Sequence, residues 1–311
     1  MRHIFVNLKR FEVPKSRGGL CPQDDPIDWI ENVIRDSVQS GLGAHAGLRL
    51  TYLVPEGLLN AAIRKLNSFP GEQTRMLAVG CQAVHWENIQ PGKNFGAFTS
   101  SLPAAAAVSL GSQWTIIGHS EERKAKMQVM QAYEPNIESD HVLRVISNRA
   151  IDRLVQAEVA CALSSDLQVL LCVGESAEER GEGEFAQQQP RITEVLKAQL
   201  LNGLQAQKAA LEAGQVVIGY EPIWAIGPGR VPPGPDYISF VSALIKQIIR
   251  ENFDAEVAVV YGGGLKEENA AAIAGILTID GGLVALTRFT GEIGFDVQDL
   301  NSIVAKYLSA G

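Results

Sequence analysis

Eight times along this chain a short apolar, β-branched run is followed by a longer stretch with helically spaced apolar residues. The runs are Ile4–Asn7, Leu48–Val54, Arg75–Gly80, Trp114–Gly118, Val169–Val173, Val216–Gly219, Val257–Tyr261 and Gly282–Leu286. Helical spacing marks Ile27–Ser40, Glu56–Asn67, Leu102–Leu110, His141–Leu163, Ala186–Leu204, Tyr237–Glu251, Glu267–Ala274 and Asp296–Lys306. Runs apolar on both faces need helices on both sides, so the alternation predicts an α/β fold with an all-parallel sheet, and eight strands close a (β/α)8 barrel. A doubly wound open sheet is the competing architecture. It would carry a GxGxxG after its first strand, and none follows Asn7. With no internal repeat and no low-complexity linker, residues 1–311 are expected to form one domain.

Composition narrows the function classes. Asp plus Glu number 35 against 27 Lys plus Arg, a formal charge of −8, and the basic runs are short. Binding to nucleic acid, which needs clustered cations, is not expected. No stretch reaches the ~20 apolar residues of a membrane span, so a cytoplasmic protein is expected. Cys21, Cys81, Cys161 and Cys172 are spaced as neither zinc ligands nor a redox pair and read as reduced thiols.

On a barrel, chemistry belongs at the carboxyl ends of the strands. Asn7-Leu8-Lys9, Cys81-Gln82, Gly118-His119-Ser120-Glu121, Cys172-Val173-Gly174-Glu175, Tyr220-Glu221-Pro222 and Tyr261-Gly262-Gly263-Gly264 all fall there. Lys9, His119 and Glu221 thus put an ammonium, an imidazole and a carboxylate on one rim. The trio suits proton abstraction beside a carbonyl: carboxylate as base, imidazole polarising the oxygen, ammonium stabilising the enediolate. Such chemistry demands no metal.

Asn7-x-Lys9, Gly96-Ala97-Phe98-Thr99, Gly118-His119-Ser120-Glu121, Cys172-Val173-Gly174-Glu175, Tyr220-Glu221-Pro222-Ile223-Trp224-Ala225-Ile226-Gly227, Tyr261-Gly262-Gly263 and Asp280-Gly281 together resemble the triosephosphate isomerase family, in family order. The resemblance implies the TIM-barrel fold and a cofactor-free isomerase acting on a small phosphorylated sugar. It makes Glu221 the base and His119 the electrophile, a neutral imidazole at a helix start for which this family is the standard example. Lys9 and Asn7 become site donors and Glu121 the carboxylate behind them; Glu121 also reads as an ordinary first-turn helix acid. Pro222 to Pro232 resembles a hinged lid, with Pro228 and Arg230 departing from the usual residues.

The same comparison exposes departures. The family holds phosphate on backbone N–H groups of the lid, of a serine after strand seven, and of a Gly-Gly after strand eight that opens a short helix. Here lid Gly227 is kept, Gly264 stands at the serine position, and Ala285-Leu286 replace the two glycines. Arg288, two residues on, is a candidate replacement phosphate ligand or an exposed surface arginine. A homodimer is implied, with Gln82 to Ser101 as the protruding loop and Thr99 at its docking tip. Ser101 and Glu122 replace the usual interface ion pair. The chain exceeds the ~250 residues of a typical barrel, and the extra length falls at Arg10–Pro26, at Ala125–Asp140 and, more modestly, at Gly181–Leu204. The first insertion is expected to be a rim loop that reshapes the pocket. Three functions follow: a triosephosphate isomerase; an isomerase of a longer sugar phosphate such as a tetrulose phosphate; and a non-catalytic binding barrel, disfavoured because such a barrel has no reason to keep the charged trio. Schiff-base chemistry at Lys9 is disfavoured by its two neighbouring acids.

Overall fold

The computed structural model describes residues 1–227 and 229–310. Eight parallel strands close into a barrel in sequence order: β1 (Arg2–Asn7), β2 (Leu48–Val54), β3 (Leu77–Cys81), β4 (Trp114–Ile117), β5 (Gln168–Val173), β6 (Val216–Tyr220), β7 (Ala258–Tyr261) and β8 (Gly281–Val284), with β8 pairing to β1. Neighbouring strands are joined by helices, which cover the outer face. Outward-facing Ile4, Val6, Leu50, Tyr52, Ile218 and Val259 pack against Ile30, Ile34, Leu196, Ile245 and Leu300 of those helices. Inward-facing Phe5, Leu53, Trp114, Ile116, Leu170, Val217 and Val260 fill the barrel itself. The alternation of strand side chains separates these two cores, so chemistry is confined to the open rim.

The amino-terminal end of the barrel is plugged by aromatics. Trp114, fully buried, meets Phe5 edge-on at 5.0 Å between ring centroids and His3 at 6.2 Å. Burial, with help from the Arg49 charge, pushes the His3 imidazole down from 6.5 to about 4. Between these values the unfolded chain binds a proton that the folded chain refuses, so stability falls as pH drops from about 6.5 to 4. His3→Gln removes this dependence. In paired denaturation curves the variant should gain about 3 kcal/mol on the parent chain over that interval, and parallel curves would refute the assignment.

The insertions take different forms. Residues 10–26 leave β1 on the catalytic rim, fold on themselves through a backbone pair between Pro14 and Cys21, and reach the segment after β8 through the Lys15–Glu292 ion pair. Residues 125–140 are not a free loop. The helix that begins at Ser120 continues to Tyr133, a 3-10 turn spans Pro135–Glu138, and the helix His141–Leu163 follows, capped by Asp140. Residues 181–204 are mostly the helix Phe185–Gly203, which accommodates Pro190. No described helix is long and apolar enough to cross a membrane.

Candidate active site

His119 caps the helix Ser120–Tyr133. Its Nδ1 accepts the backbone N–H of Glu121 at 3.2 Å, which leaves the ring hydrogen on Nε2. That edge faces Glu221, Nε2 to Oε1 at 3.2 Å. Glu221 follows β6 directly and is 3 % exposed. It also accepts from Ser120: the backbone N–H reaches Oε2 at 2.9 Å and the hydroxyl reaches Oε1 at 3.1 Å. Two donors from Ser120, with the imidazole edge beside them, replace the water this buried carboxylate has lost.

The Glu221 backbone is fixed as firmly. Its N–H donates to the Val173 carbonyl at 2.8 Å, and its carbonyl oxygen passes so close to Gly174 that a Cβ there would lie 1.8 Å away. Beneath it, the buried Cys172 thiol is pushed well up by burial and by the Glu221 charge, which keeps it protonated and out of nucleophilic chemistry.

Lys9 and Asn7 face the same rim from β1. Lys9 holds a left-handed backbone, φ 43°, strained for a residue with a side chain. Its backbone N–H donates to Asn7 Oδ1 at 3.0 Å, and its Nζ meets Glu121 Oε1 at 2.5 Å. Burial raises the Glu121 carboxyl, but the Lys9 hydrogen bond and charge outweigh it and hold the group below its ordinary value. Glu121 is therefore both the first-turn acid and the carboxylate behind Lys9. Asn7, Lys9, His119, Glu121 and Glu221 form one connected cluster.

Two members of this cluster were not singled out from sequence. Gln82, just past β3, donates its Nε2 to Asn7 Oδ1 at 3.2 Å and to the Lys9 carbonyl at 2.9 Å, so it braces the strained turn. Ser120 is the second, through its bonds to Glu221. Rim position was the available signal for Gln82; for Ser120 it was adjacency to His119.

Glu122, expected at a subunit interface, turns inward. It accepts from the Gly118 N–H at 2.6 Å and pairs with Lys126, which also reaches both oxygens of Glu158 at 2.7 Å. Burial and the adjacent Glu122 charge drive the Glu158 carboxyl up to about 9, so the pair carries one negative charge rather than two.

The phosphate positions separate. Gly227 is exposed with a left-handed backbone, φ 121°; Gly264, also left-handed at φ 93°, is half-buried. Pro228 lies outside the described residues. The family's short helix after β8 is absent: Ala285 and Leu286 lead into a turn closed by a backbone pair between Arg288 and Gly294, and the next helix, Val297–Ser309, is capped by Asp296. Among the described residues no backbone carbonyl accepts from the N–H of Ala285 or Leu286. Arg288 is turned toward acids of its own chain, Nε to Asp299 at 2.7 Å and Nη2 to Asp296 at 3.1 Å. An anion at Arg288 would first have to displace a carboxylate.

A parallel eight-stranded barrel with a buried carboxylate facing the N–H edge of an imidazole, and an ammonium on the same rim, defines an isomerase of the enediol type. The family model described as triosephosphate isomerase matches residues 58–292, more than half of the chain, and the chain belongs to that family. It is 34% identical over 205 residues to a triosephosphate isomerase of Nitratidesulfovibrio vulgaris (strain DSM 19637 / Miyazaki F), covering 65% of this chain and 69% of that one. Against the triosephosphate isomerase of Alkaliphilus oremlandii (strain OhILAs) it is 30% identical over 227 residues, 70% and 77% of the two chains. The crystal structure of triosephosphate isomerase from Bartonella henselae superposes with a TM-score of 0.67 over 99% of both chains; at 21% identity this is a likeness of fold.

Proposed function

We propose that this protein is an isomerase that interconverts glyceraldehyde 3-phosphate and dihydroxyacetone phosphate through an enediol. The observation that carries the reading is the 3.2 Å approach of His119 Nε2 to Glu221 Oε1 at the carboxyl ends of β4 and β6. Glu221 takes a proton from the carbon beside the carbonyl and returns it to the neighbouring carbon. His119 donates its Nε2–H to the oxygen that becomes negative, and Lys9, with Asn7 beside it, stabilises the enediolate. No redox partner enters, because the electron pair left by the proton stays within the substrate.

Phosphate recognition is assigned to backbone N–H groups of Gly227, Gly264, Ala285 and Leu286; Arg288 joins them only by releasing Asp296 and Asp299. Exchanging glycine for Ala285 and Leu286 alters side chains but leaves the backbone donors in place, and those two N–H groups meet no backbone carbonyl among the described residues. The naming of the curated relatives favours the three-carbon sugar over a tetrulose phosphate.

The same reading carries a homodimer, a cytoplasmic location, a place in glycolysis and one domain with insertions at 10–26 and 125–140. The dimer is supported by the segment between β3 and the helix Ala104–Ser109, where Phe95 is 80% exposed and Trp86 and Thr99 also face outward. The test is a side-by-side assay on glyceraldehyde 3-phosphate and on tetrose and pentose ketose phosphates. The expected result is a kcat/KM for the triose at least ~100-fold above any longer sugar, about 2.7 kcal/mol of discrimination. Faster turnover of a longer sugar would assign the altered β8 turn and the 10–26 loop to a different substrate.

A further inference from the structure

Gly118 follows β4 and turns the chain into the helix Ser120–Tyr133, one residue before His119 and two before Ser120. Its backbone is left-handed, φ 76°, and a Cβ there would come within 2.8 Å of the Cys172 carbonyl oxygen. The residue is buried, and both of its backbone polar groups are met by side chains of the helix that follows. Glu122 Oε2 accepts the Gly118 N–H at 2.6 Å, and Arg123 Nε donates to the Gly118 carbonyl at 2.9 Å.

Both side chains are anchored on a second helix. Arg123 Nη1 meets Asp152 of the helix His141–Leu163 at 2.7 Å. Glu122 pairs through its other oxygen with Lys126, and the same ammonium reaches both oxygens of Glu158 on that second helix at 2.7 Å. Burial raises the Glu122 carboxyl, but the Lys126 charge and the hydrogen bonds it accepts outweigh burial and hold it below its ordinary value, so Glu122 keeps its charge and Glu158 carries the proton. These charged ties do what packing does elsewhere: Met127 and Met130, both half-buried, are the apolar contacts of this helix with the core.

We propose that Glu122 is a positioning residue: held by Lys126 and Glu158, it fixes the Gly118 turn and so aims His119 Nε2 and the Ser120 N–H at Glu221. The inference rests on the isomerase reading, because that aim matters only where those groups serve proton transfer. Without the carboxylate, the Gly118 N–H would be a buried donor with no acceptor, and the turn would have to move to find one. Residues 118–120 are consecutive, so any such movement passes directly to both groups that address the base. A residue whose place in the sequence suggested a subunit contact thus braces the catalytic turn from within one chain.

Glu122→Gln tests this. A carboxamide keeps one oxygen where the carboxylate presents two, so its NH2 must face either the Gly118 N–H or the Lys126 ammonium. The kcat should fall about 10-fold, the size expected for one hydrogen bond to a charged group, with KM within about twofold of the parent value. With nitrogen-15 histidine, the His119 Nε2 proton should exchange with water about 10-fold faster than in the parent chain, a signature that lost stability alone would not produce. Glu158 supplies a second pair of variants. Glu158→Gln keeps an acceptor for Lys126 and a donor toward Glu122, so kcat should stay within about threefold; Glu158→Leu removes both and should lower it about 10-fold. A Glu122→Gln chain that melts earlier yet keeps the parent kcat and the parent His119 exchange would overturn the proposal, and so would equal kcat values for the two Glu158 variants. If Glu122→Gln does not fold, the Glu158 pair decides alone. Absence of triose turnover in the parent chain would instead sink the isomerase reading, and the His119 exchange would still decide whether Glu122 sets that turn.

Discussion

Glu221→Gln should lower kcat by at least ~10³-fold with KM held within a few-fold, the pattern of a lost general base in an otherwise assembled pocket. Geometry sharpens the expectation. Ser120 N–H addresses Oε2, while Ser120 Oγ–H and His119 Nε2 address Oε1. A carboxamide offers one oxygen where Ser120 sets a donor on each side, so its NH2 must face the Ser120 N–H or its hydroxyl and the imidazole edge beside it. The variant therefore loses the base and also loosens the imidazole that polarises the carbonyl. Steady-state kinetics on glyceraldehyde 3-phosphate read the effect directly. A kcat within 10-fold of the parent enzyme would remove Glu221 from the mechanism.

Gly174→Ala should be the most damaging single methyl in the rim. The added Cβ would sit 1.8 Å from the Glu221 carbonyl oxygen, and backbone on either side is pinned: the Gln199 carboxamide bonds both the N–H and the carbonyl of Gly174, each at 2.9 Å. Neither neighbour can yield cheaply, so β5 and β6 must separate at the base itself. The expected cost is about 4 kcal/mol, a Tm lower by about 10 °C, with activity falling further than stability. Gly57→Ala, where nothing lies within 4 Å of the new Cβ, is the control and should shift Tm by no more than about 2 °C. Equal melting of the two variants would mean that the β5–β6 contact is not as tight as described.

Much of the barrel was legible from sequence because its strands are apolar on both faces and short. Leu48–Val54 is read at its observed bounds, and the other seven differ only at their ends. The reading of β8 ran on through Ala285-Leu286 because the apolar run continues there, whereas the strand ends at Val284. The helix Ser120–Tyr133 was legible only as a helix start after His119, and its length was not, because its inward side is carried by Glu122, Arg123 and Lys126 rather than by an apolar stripe. Motif order placed Asn7, Lys9, His119, Glu121 and Glu221 correctly on one rim, since strand ends specify a rim position. Ser120 and Gln82 act through backbone angles and a carboxamide reach that no spacing encodes. Arg288 shows the converse. A cation near an altered phosphate cradle invites an anion, but Asp296, which caps the following helix, and Asp299 in its first turn occupy it.

The central claim is that Glu221 moves a proton between adjacent carbons of a triose phosphate. Dihydroxyacetone phosphate incubated with the protein in deuterium oxide and followed by proton NMR tests it most directly. The account predicts stereospecific loss of one of the two C1 hydrogens of the ketose as deuterium replaces it, alongside formation of the aldose, and no such exchange with Glu221→Gln. Retention of both hydrogens, or exchange equally fast in the variant, would contradict it.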